Sequence, residues 1–336
     1  MPTISVILPV FNAKKYILSA VKSILGQSYT DFELIIVDDC STDGSYEILS
    51  SVADSRILLV RNERNIGLVE SLNLGLQFAT GIYIARMDHD DISLSNRLES
   101  QINFLSKNPS ISVLGTGYQL IDESGRPGYI YQQPKLHEEI IWAMPFLCPI
   151  THPTVMFRSS IISYELAYLK SATYAEDYEL WERLSQRYKF ANLPESLLLL
   201  RKHEKNMTNI WRKEGFDIAT TISKRRVEKV LGRSISYQNI SCLYSQGRIN
   251  SDSVLASATL ILELLKIYRN ENAVVSTKVS CDAAKRILLM GLRSKNGLTI
   301  IFCLWKSLRI TKKFIKPLIL KVLIRLSGKG IIEVIG

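Results

Sequence analysis

The sequence predicts an α/β fold: a doubly wound, mostly parallel, Rossmann-like sheet followed by a helical C-terminal extension. Three observations carry that reading. Short apolar, β-branched runs alternate with amphipathic stretches through the first 90 residues, the order that builds βαβ crossovers. Two of those runs, Ile35-Ile36-Val37-Asp38-Asp39 and residues 82–91, empty into carboxylates, at the strand ends where open sheets bind ligands. Beyond Trp211 the texture turns helical and basic.

Each element has its own signal. Residues 4–10 form an apolar run too short for a helix and read as a buried strand. Residues 14–25 place apolar side chains at helical spacing, and 32–37 is the second strand. Asp43 is placed to cap a helix reaching Val52, 56–61 is a strand, and 68–79 a helix leading to the strand that ends at Asp88. Residues 96–105 read as a helix with Asp91 as its cap, 111–121 as a strand, and 122–134 as a Gly/Pro hairpin. Residues 174–188 are helical with Trp181 and Leu184 inward, and 196–200 is the last strand. The expected division is a domain over 1–210 that carries the acidic strand ends and a basic helical, membrane-associating region over 211–336.

Composition narrows the function classes. Of 336 residues 46% are hydrophobic, enough for a substantial core. Residues 211–336 hold 23 Lys/Arg and 8 Asp/Glu, whereas the first 210 hold 19 and 24, so any anionic partner belongs to the C-terminal part. Five scattered cysteines without a Cys-x-x-Cys pair argue against a disulfide framework or zinc site and fit a reducing compartment. With strand residues from Ile4 and no signal-peptide pattern, a cytoplasmic location is expected. The apolar stretch 297–305 is far short of the about 20 residues a bilayer crossing needs. Residues 306–326 interleave Lys/Arg with Leu, Ile, Val and Phe at near-helical spacing, with Pro317 as a kink, which suits an anionic membrane surface and not nucleic acid.

The chemistry sits in the acidic strand ends. Asp88 and Asp90, at i and i+2, can hold one face of Mg²⁺ or Mn²⁺, leaving the remaining positions to water and substrate phosphate. Arg86 shares the strand face of Asp88 and can steady a bound ligand (a donor sugar, on the resemblance given below) or pair with that carboxylate; His89 points the other way and reads as structural. Asp38 and Asp39 can bind ribose hydroxyls or a base N–H, or cap the following helix. Pro9, Phe11 and Asn12 end the first strand, where Phe11 can border a base or join the core. In Asn65-Ile66-Gly67 the glycine lets backbone come close, and Gly75 reads as turn chemistry. Glu176-Asp177 is either a solvated helix start or a catalytic pair. His152 is either a satisfied structural group or an acceptor contact, and Arg201 and His203 follow the last strand.

Together these residues resemble the family 2 glycosyltransferases, nucleotide-sugar enzymes of the GT-A fold. The matching stretches are Ser5-Val6-Ile7-Leu8-Pro9-Val10-Phe11-Asn12, Ser23-Ile24-Leu25-Gly26-Gln27-Ser28, Asp38 to Ser45, Asn65-Ile66-Gly67, Asn73-Leu74-Gly75 and Ala85 to Asp91. Thr151-His152-Pro153-Thr154-Val155-Met156 and Ala175-Glu176-Asp177-Tyr178 follow, so the resemblance covers residues 3–205 in order. It implies nucleotide contact through Asp39, with Asp38 beside it, Asp90 as metal ligand, Asp88 near sugar or metal, and His203 against metal or diphosphate. It further implies Asp177 as the base of an inverting transfer and Glu176 on an acceptor hydroxyl. One base plus a metal suffices for such a transfer, unlike a hydrolase, which needs a second carboxyl as acid.

The expected activity is metal-dependent transfer of a hexose (glucose, galactose or an N-acetyl analogue) from a nucleotide sugar, UDP-linked. The acceptor would be a lipid-diphosphate-linked saccharide of O-antigen or capsule synthesis, met by a protein held peripherally on the inner face of the plasma membrane. No Gln-x-x-Arg-Trp motif marks a processive synthase. The alternatives are a catalytically inactive, membrane-recruited nucleotide-sugar-binding module and a nucleotidyltransferase. The latter normally carries a Gly-rich basic loop where Pro9-Val10-Phe11-Asn12 stands.

Overall fold

The computed structural model describes residues 1–162, 167–244, 250–271, 277–294 and 296–311. They form two compact units, one of Met1–Ile141 with Cys148–Ala219, the other of Trp142–Leu147 with the chain from Thr220 on.

The first unit opens with the expected alternation: β1 (Ile4–Val10), α1 (Ile17–Leu25), β2 (Phe32–Asp38), α2 (Ser45–Ser50), β3 (Ile57–Arg61), α3 (Leu68–Phe78) and β4 (Tyr83–Arg86). These four strands pair in parallel in the order β3-β2-β1-β4. Every β1 residue is buried, as helix-covered parallel strands require. Pro9 costs no ladder bond there. The Ile7 carbonyl accepts from Met87 N–H, so odd β1 positions face β4, and pairing with β4 stops at Ile7↔Arg86, before Pro9. α1 buries Ile17, Ala20, Val21 and Ile24, one helical stripe. Gly75 is not a turn residue. It lies inside α3, where a Cβ would stand 2.6 Å from Ile7 Cγ2, so glycine lets the helix close on β1.

The chain continues through β5 (Ile92–Ser93), α4 (Arg97–Lys107), β6 (Ile111–Ile121), β7 (Pro127–Tyr131), α5 (His137–Ala143), β8 (Met156–Arg158), α6 (Glu176–Leu184) and β9 (Lys189–Arg201). The sheet runs β3-β2-β1-β4-β8-β6-β9-β5, with β7 on β6 as the anticipated hairpin. β8, antiparallel to both β4 and β6, was not anticipated, because three residues carry no readable period. The last strand begins at Lys189 instead of 196, parallel to β6. Its register jumps from Thr116↔Leu193 to Gly117↔Ser196, so Pro194 and Glu195 bulge out. That proline hid the first half of the strand. Trp181 and Leu184 of α6 are fully buried, as expected.

The second unit is helical. Beyond α7 (Met207–Ile210), α8 (Arg212–Leu231) leads into α9 (Tyr237–Tyr244), α10 (Ser251–Glu271), α11 (Thr277–Arg293) and α12 (Gly297–Ile310). Its core gathers Ile240, Val254, Ala258, Ile261, Ile287 and Cys303 around Trp142, whose Nε1 donates to Asp282 at 2.8 Å. Among the described residues no helix is long and apolar enough to cross a membrane. α12 takes up residues 306–310 of the basic-aliphatic stretch; its remainder past Thr311, with Pro317, lies outside the described residues.

Candidate active site

The C-terminal ends of β1, β2 and β3 form one wall. Asn12 and Cys40, non-glycine residues with φ of 50° and 60°, turn the chain sharply after β1 and β2. Asn12 Oδ1 accepts from Thr42 N–H at 2.9 Å and Asn12 N–H donates to Ser41 Oγ at 3.0 Å, which locks the two turns together. Phe11 is 45% exposed, so it belongs to the surface of this wall and not to the core, whereas Pro9 is buried. The adjacent acids differ in use. Asp39 takes Asn62 Nδ2 and Ile66 N–H on Oδ1 and Gly67 N–H on Oδ2, all at 2.8 Å, which fixes the loop after β3. Asp38 meets Arg61 Nε at 3.4 Å and Ser41 N–H at 3.2 Å through Oδ2, while its buried Oδ1 has no partner. Asp38 Oδ1 is thus a buried acceptor without a partner, while Asp39 Oδ2 accepts a single bond and keeps acceptor capacity. Gly67, at φ 91° and ψ 164°, occupies backbone space close to glycine's own, and Asn65 is exposed beside it.

β4 ends at Arg86 and releases the acids. Ligand oxygens of Asp88, Asp90 and Asp91 lie within 4.8 Å of one another. Asp90 Oδ2 receives His203 Nε2 at 2.8 Å and Asn206 Nδ2 at 3.0 Å. His89 Nδ1 stands 3.8 Å from Asp90 Oδ1. Asp91 corrects an expectation: it caps no helix, since Asn96 precedes α4. It is buried, accepts Arg201 N–H at 2.8 Å on Oδ1, and leaves Oδ2 without a partner. Burial, then the Asp88 and Asp90 charges, push it well above the usual carboxylate range. Three converging carboxylates with an orphaned buried oxygen, plus an imidazole on Asp90, fit a hard divalent cation, which would relieve that repulsion.

Sequence reasoning missed the residues that brace this turn. Arg201 donates Nε–H to the Asp90 carbonyl at 2.9 Å and lies 4.6 Å over the Tyr16 ring, which in turn stacks on His203. Fully buried Arg97 donates to the Arg86 carbonyl at 2.8 Å, and burial pulls its pKa down to about 9. Gln27, inside a quoted motif but given no role, bonds the Ser23 and Leu94 carbonyls, Ser93 Oγ and Leu98 N–H.

Glu176 and Asp177 open α6 beside the acids. Arg86, 3% exposed, pairs with Asp88 at 2.5 Å, and its charge also reaches Glu176. Glu176 is buried and accepts Tyr174 N–H at 2.9 Å; burial, then Asp177, push its pKa up to about 7. Asp177 accepts Tyr178 N–H at 2.7 Å, faces Cys148 Sγ at 3.6 Å, and is also raised by burial. His152 is 6% exposed, with Nε2 2.8 Å from Tyr168 Oη and Nδ1 4.0 Å from Glu176. Burial, then Arg86, hold its pKa well below the usual value, so the ring stays neutral. Tyr168, bonded to His152, and Cys148, against Asp177, carried no sequence signal.

Known proteins resemble this chain. The model of glycosyl transferase family 2 matches residues 5–164. The O-antigen biosynthesis glycosyltransferase WbnJ of Escherichia coli is 35% identical over 210 residues, 60% of this chain and 81% of that one. An uncharacterised glycosyltransferase of Haemophilus influenzae is 29% identical over 94% of this chain and 98% of its own length. Among solved structures, TarS residues 1–349 of S. aureus in complex with UDP-GlcNAc superimposes with TM-score 0.57 at 16% identity, covering 98% of this chain and 93% of that one. The chain spans 54% of a longer TarS chain. The fold is thus GT-A, with a mixed, mostly parallel sheet and C-terminal helices. By these matches the chain belongs to the family 2 glycosyltransferases.

Proposed function

We propose that this enzyme transfers a hexose, with inversion and a bound Mg²⁺ or Mn²⁺, from a UDP-linked donor to a lipid-diphosphate-linked saccharide during O-antigen or capsule synthesis. One observation carries the reading: the buried Arg86 charge joins the Asp88 end of the acidic cluster to the Glu176–Asp177 pair, so a diphosphate site and a base site adjoin. The donor's nucleotide lies along the β1–β3 wall, with Asp39, and Asp38 beside it, accepting from base or ribose, Phe11 and Asn65 bordering it, and Gly67 lending backbone. Asp88, Asp90, Asp91 and His203 would hold the cation, which when bound offsets the charge of the departing diphosphate. Asp177 takes the proton of the acceptor hydroxyl as that oxygen bonds to the anomeric carbon from the face opposite the leaving group. The bond from that carbon to the β-phosphate oxygen breaks, and its electron pair leaves with the nucleoside diphosphate. A carboxylate raised by burial is a stronger base than an ordinary one and suits neutral pH. Glu176, oriented by Tyr174 N–H and neutral His152, receives a neighbouring acceptor hydroxyl.

The O-antigen relative and the UDP-GlcNAc-bound neighbour support the donor and pathway class. Membrane docking draws on α12, whose Leu298, Ile301 and Trp305 are exposed at spacings of three and four, with Lys306 and Arg309 at 5.0 and 4.8 Å over the Trp305 ring. The test supplies UDP-glucose, UDP-galactose, UDP-GlcNAc or a GDP sugar with a bacterial lipid extract, with Mn²⁺ or EDTA. Metal-dependent transfer giving a product of opposite anomeric configuration by NMR is expected. Retention, or full activity in EDTA, overturns the mechanism.

A further inference from the structure

We infer that Tyr174 and Trp211 form a saccharide-binding platform that seats the acceptor sugar against Glu176 and Asp177, an assignment that rests on reading that pair as the acceptor end of the site. Tyr174 has φ 79°, a conformation rare for a bulky residue and kept where the surroundings over-determine it, commonly at binding and catalytic sites. Its N–H donates to Glu176 Oε2 at 2.9 Å, so its backbone touches the pair directly. Its ring stacks on Trp211 with centroids 4.7 Å apart and planes 15° from parallel. Gly215 keeps the first turn of α8 close behind, since a Cβ there would stand 2.9 Å from the Tyr174 carbonyl.

The other end of this segment is rooted in the acidic cluster. His203 and Asn206 both bond Asp90 Oδ2, Asn206 leads into α7, and Trp211 N–H closes it on the Met207 carbonyl at 2.9 Å. The nine residues from His203 to Trp211 thus run from a side chain on Asp90 to an aromatic stack whose Tyr174 backbone bonds Glu176. A stack serving only the core would be buried, yet Trp211 is 38% exposed. A flat, electron-rich, partly exposed indole attracts the weakly positive C–H face of a pyranose, and the neighbouring carboxylates take its hydroxyls. A nucleotide base is assigned elsewhere, to the Asp38 wall.

The experiment is saturation-transfer NMR on the full chain with diamagnetic Mg²⁺, UDP and GDP, using methyl glycosides of glucose, galactose, N-acetylglucosamine, mannose and rhamnose as probes. The expected result is saturation of the ring protons on one face of at least one glycoside. Trp211→Ala should weaken that binding about tenfold and Trp211→Phe only slightly, with the nucleotide signal retained in both. A nucleotide signal with no glycoside signal, or glycoside binding unchanged in Trp211→Ala, overturns the platform. So does a Trp211→Ala chain that loses only flotation with anionic vesicles. Absence of any nucleotide signal from the parent chain overturns the donor reading and the platform with it.

Discussion

Replacing Arg86 with Met should move the pH dependence of turnover upward by about one unit, because this one buried cation faces every carboxylate of the base site. Its charge lowers the pKa of both Glu176 and Asp177, against the burial that raises them. An opposite charge at about 4–6 Å is worth roughly 1–3 pKa units, and water entering after the substitution returns part of that. The acidic limb of the variant, set by the base Asp177, should therefore lie about one unit above the parental limb. The base must be deprotonated to act, so activity is lost as pH falls through this raised value. At neutral pH the variant should then lose about tenfold in rate, recovered on raising the pH, one unit being about 1.4 kcal/mol. Folding should survive. Asp88, 34% exposed, can turn to water, and Met removes Nε and Nη1, buried donors without partners. The net stability cost should therefore be about 2 kcal/mol, below the roughly 3–5 of a fully buried broken pair. The assay is nucleoside-diphosphate release between about pH 5.5 and 9.5 for the parent, Arg86→Met and Arg86→Lys, the last expected to keep the parental limb. Identical limbs in all three chains would refute the electrostatic coupling.

Other outcomes follow from the same geometry. Asp177→Asn should cut turnover by about 10²–10⁴-fold while nucleotide affinity, measured by calorimetry, stays at the parental value. Gly67→Ala meets no atom within 4 Å but strains φ 91°, so urea unfolding should show a loss of about 1–3 kcal/mol with unchanged slope. The chain should float with anionic vesicles at low salt, and Ile301→Glu with Trp305→Glu should abolish flotation without changing nucleotide binding; parental flotation in that variant would remove α12 from the interface.

The acidic strand ends were legible because a carboxylate closing an apolar run has no packing explanation, and the first four strands were legible because their apolar runs are continuous. That Asp39 holds the loop 62–67 was not legible, because its partners Asn62, Ile66 and Gly67 lie 23, 27 and 28 residues away. Asp91 looked like a helix cap because its partner, Arg201, lies 110 residues away. Arg97 sits in an amphipathic helix and reads as a surface charge, yet its bonds to the Arg86 and Val155 carbonyls bury it completely. Pro194 broke the strand signal of β9, although a register shift absorbs it. Each failure involves a contact distant in sequence, and each success a local anomaly.

The account stands most directly on whether the acidic cluster holds a cation that the nucleotide needs. Calorimetric titration of UDP and of GDP into the parent, Asp90→Ala and Asp177→Asn, each with Mn²⁺ and with EDTA, measures this without knowledge of the acceptor. The parent and Asp177→Asn should bind one of the two nucleotides with Mn²⁺ and far more weakly in EDTA, and Asp90→Ala should bind weakly in both. Equal affinity in all three chains, indifferent to metal, would contradict the assignment of Asp88, Asp90 and Asp91.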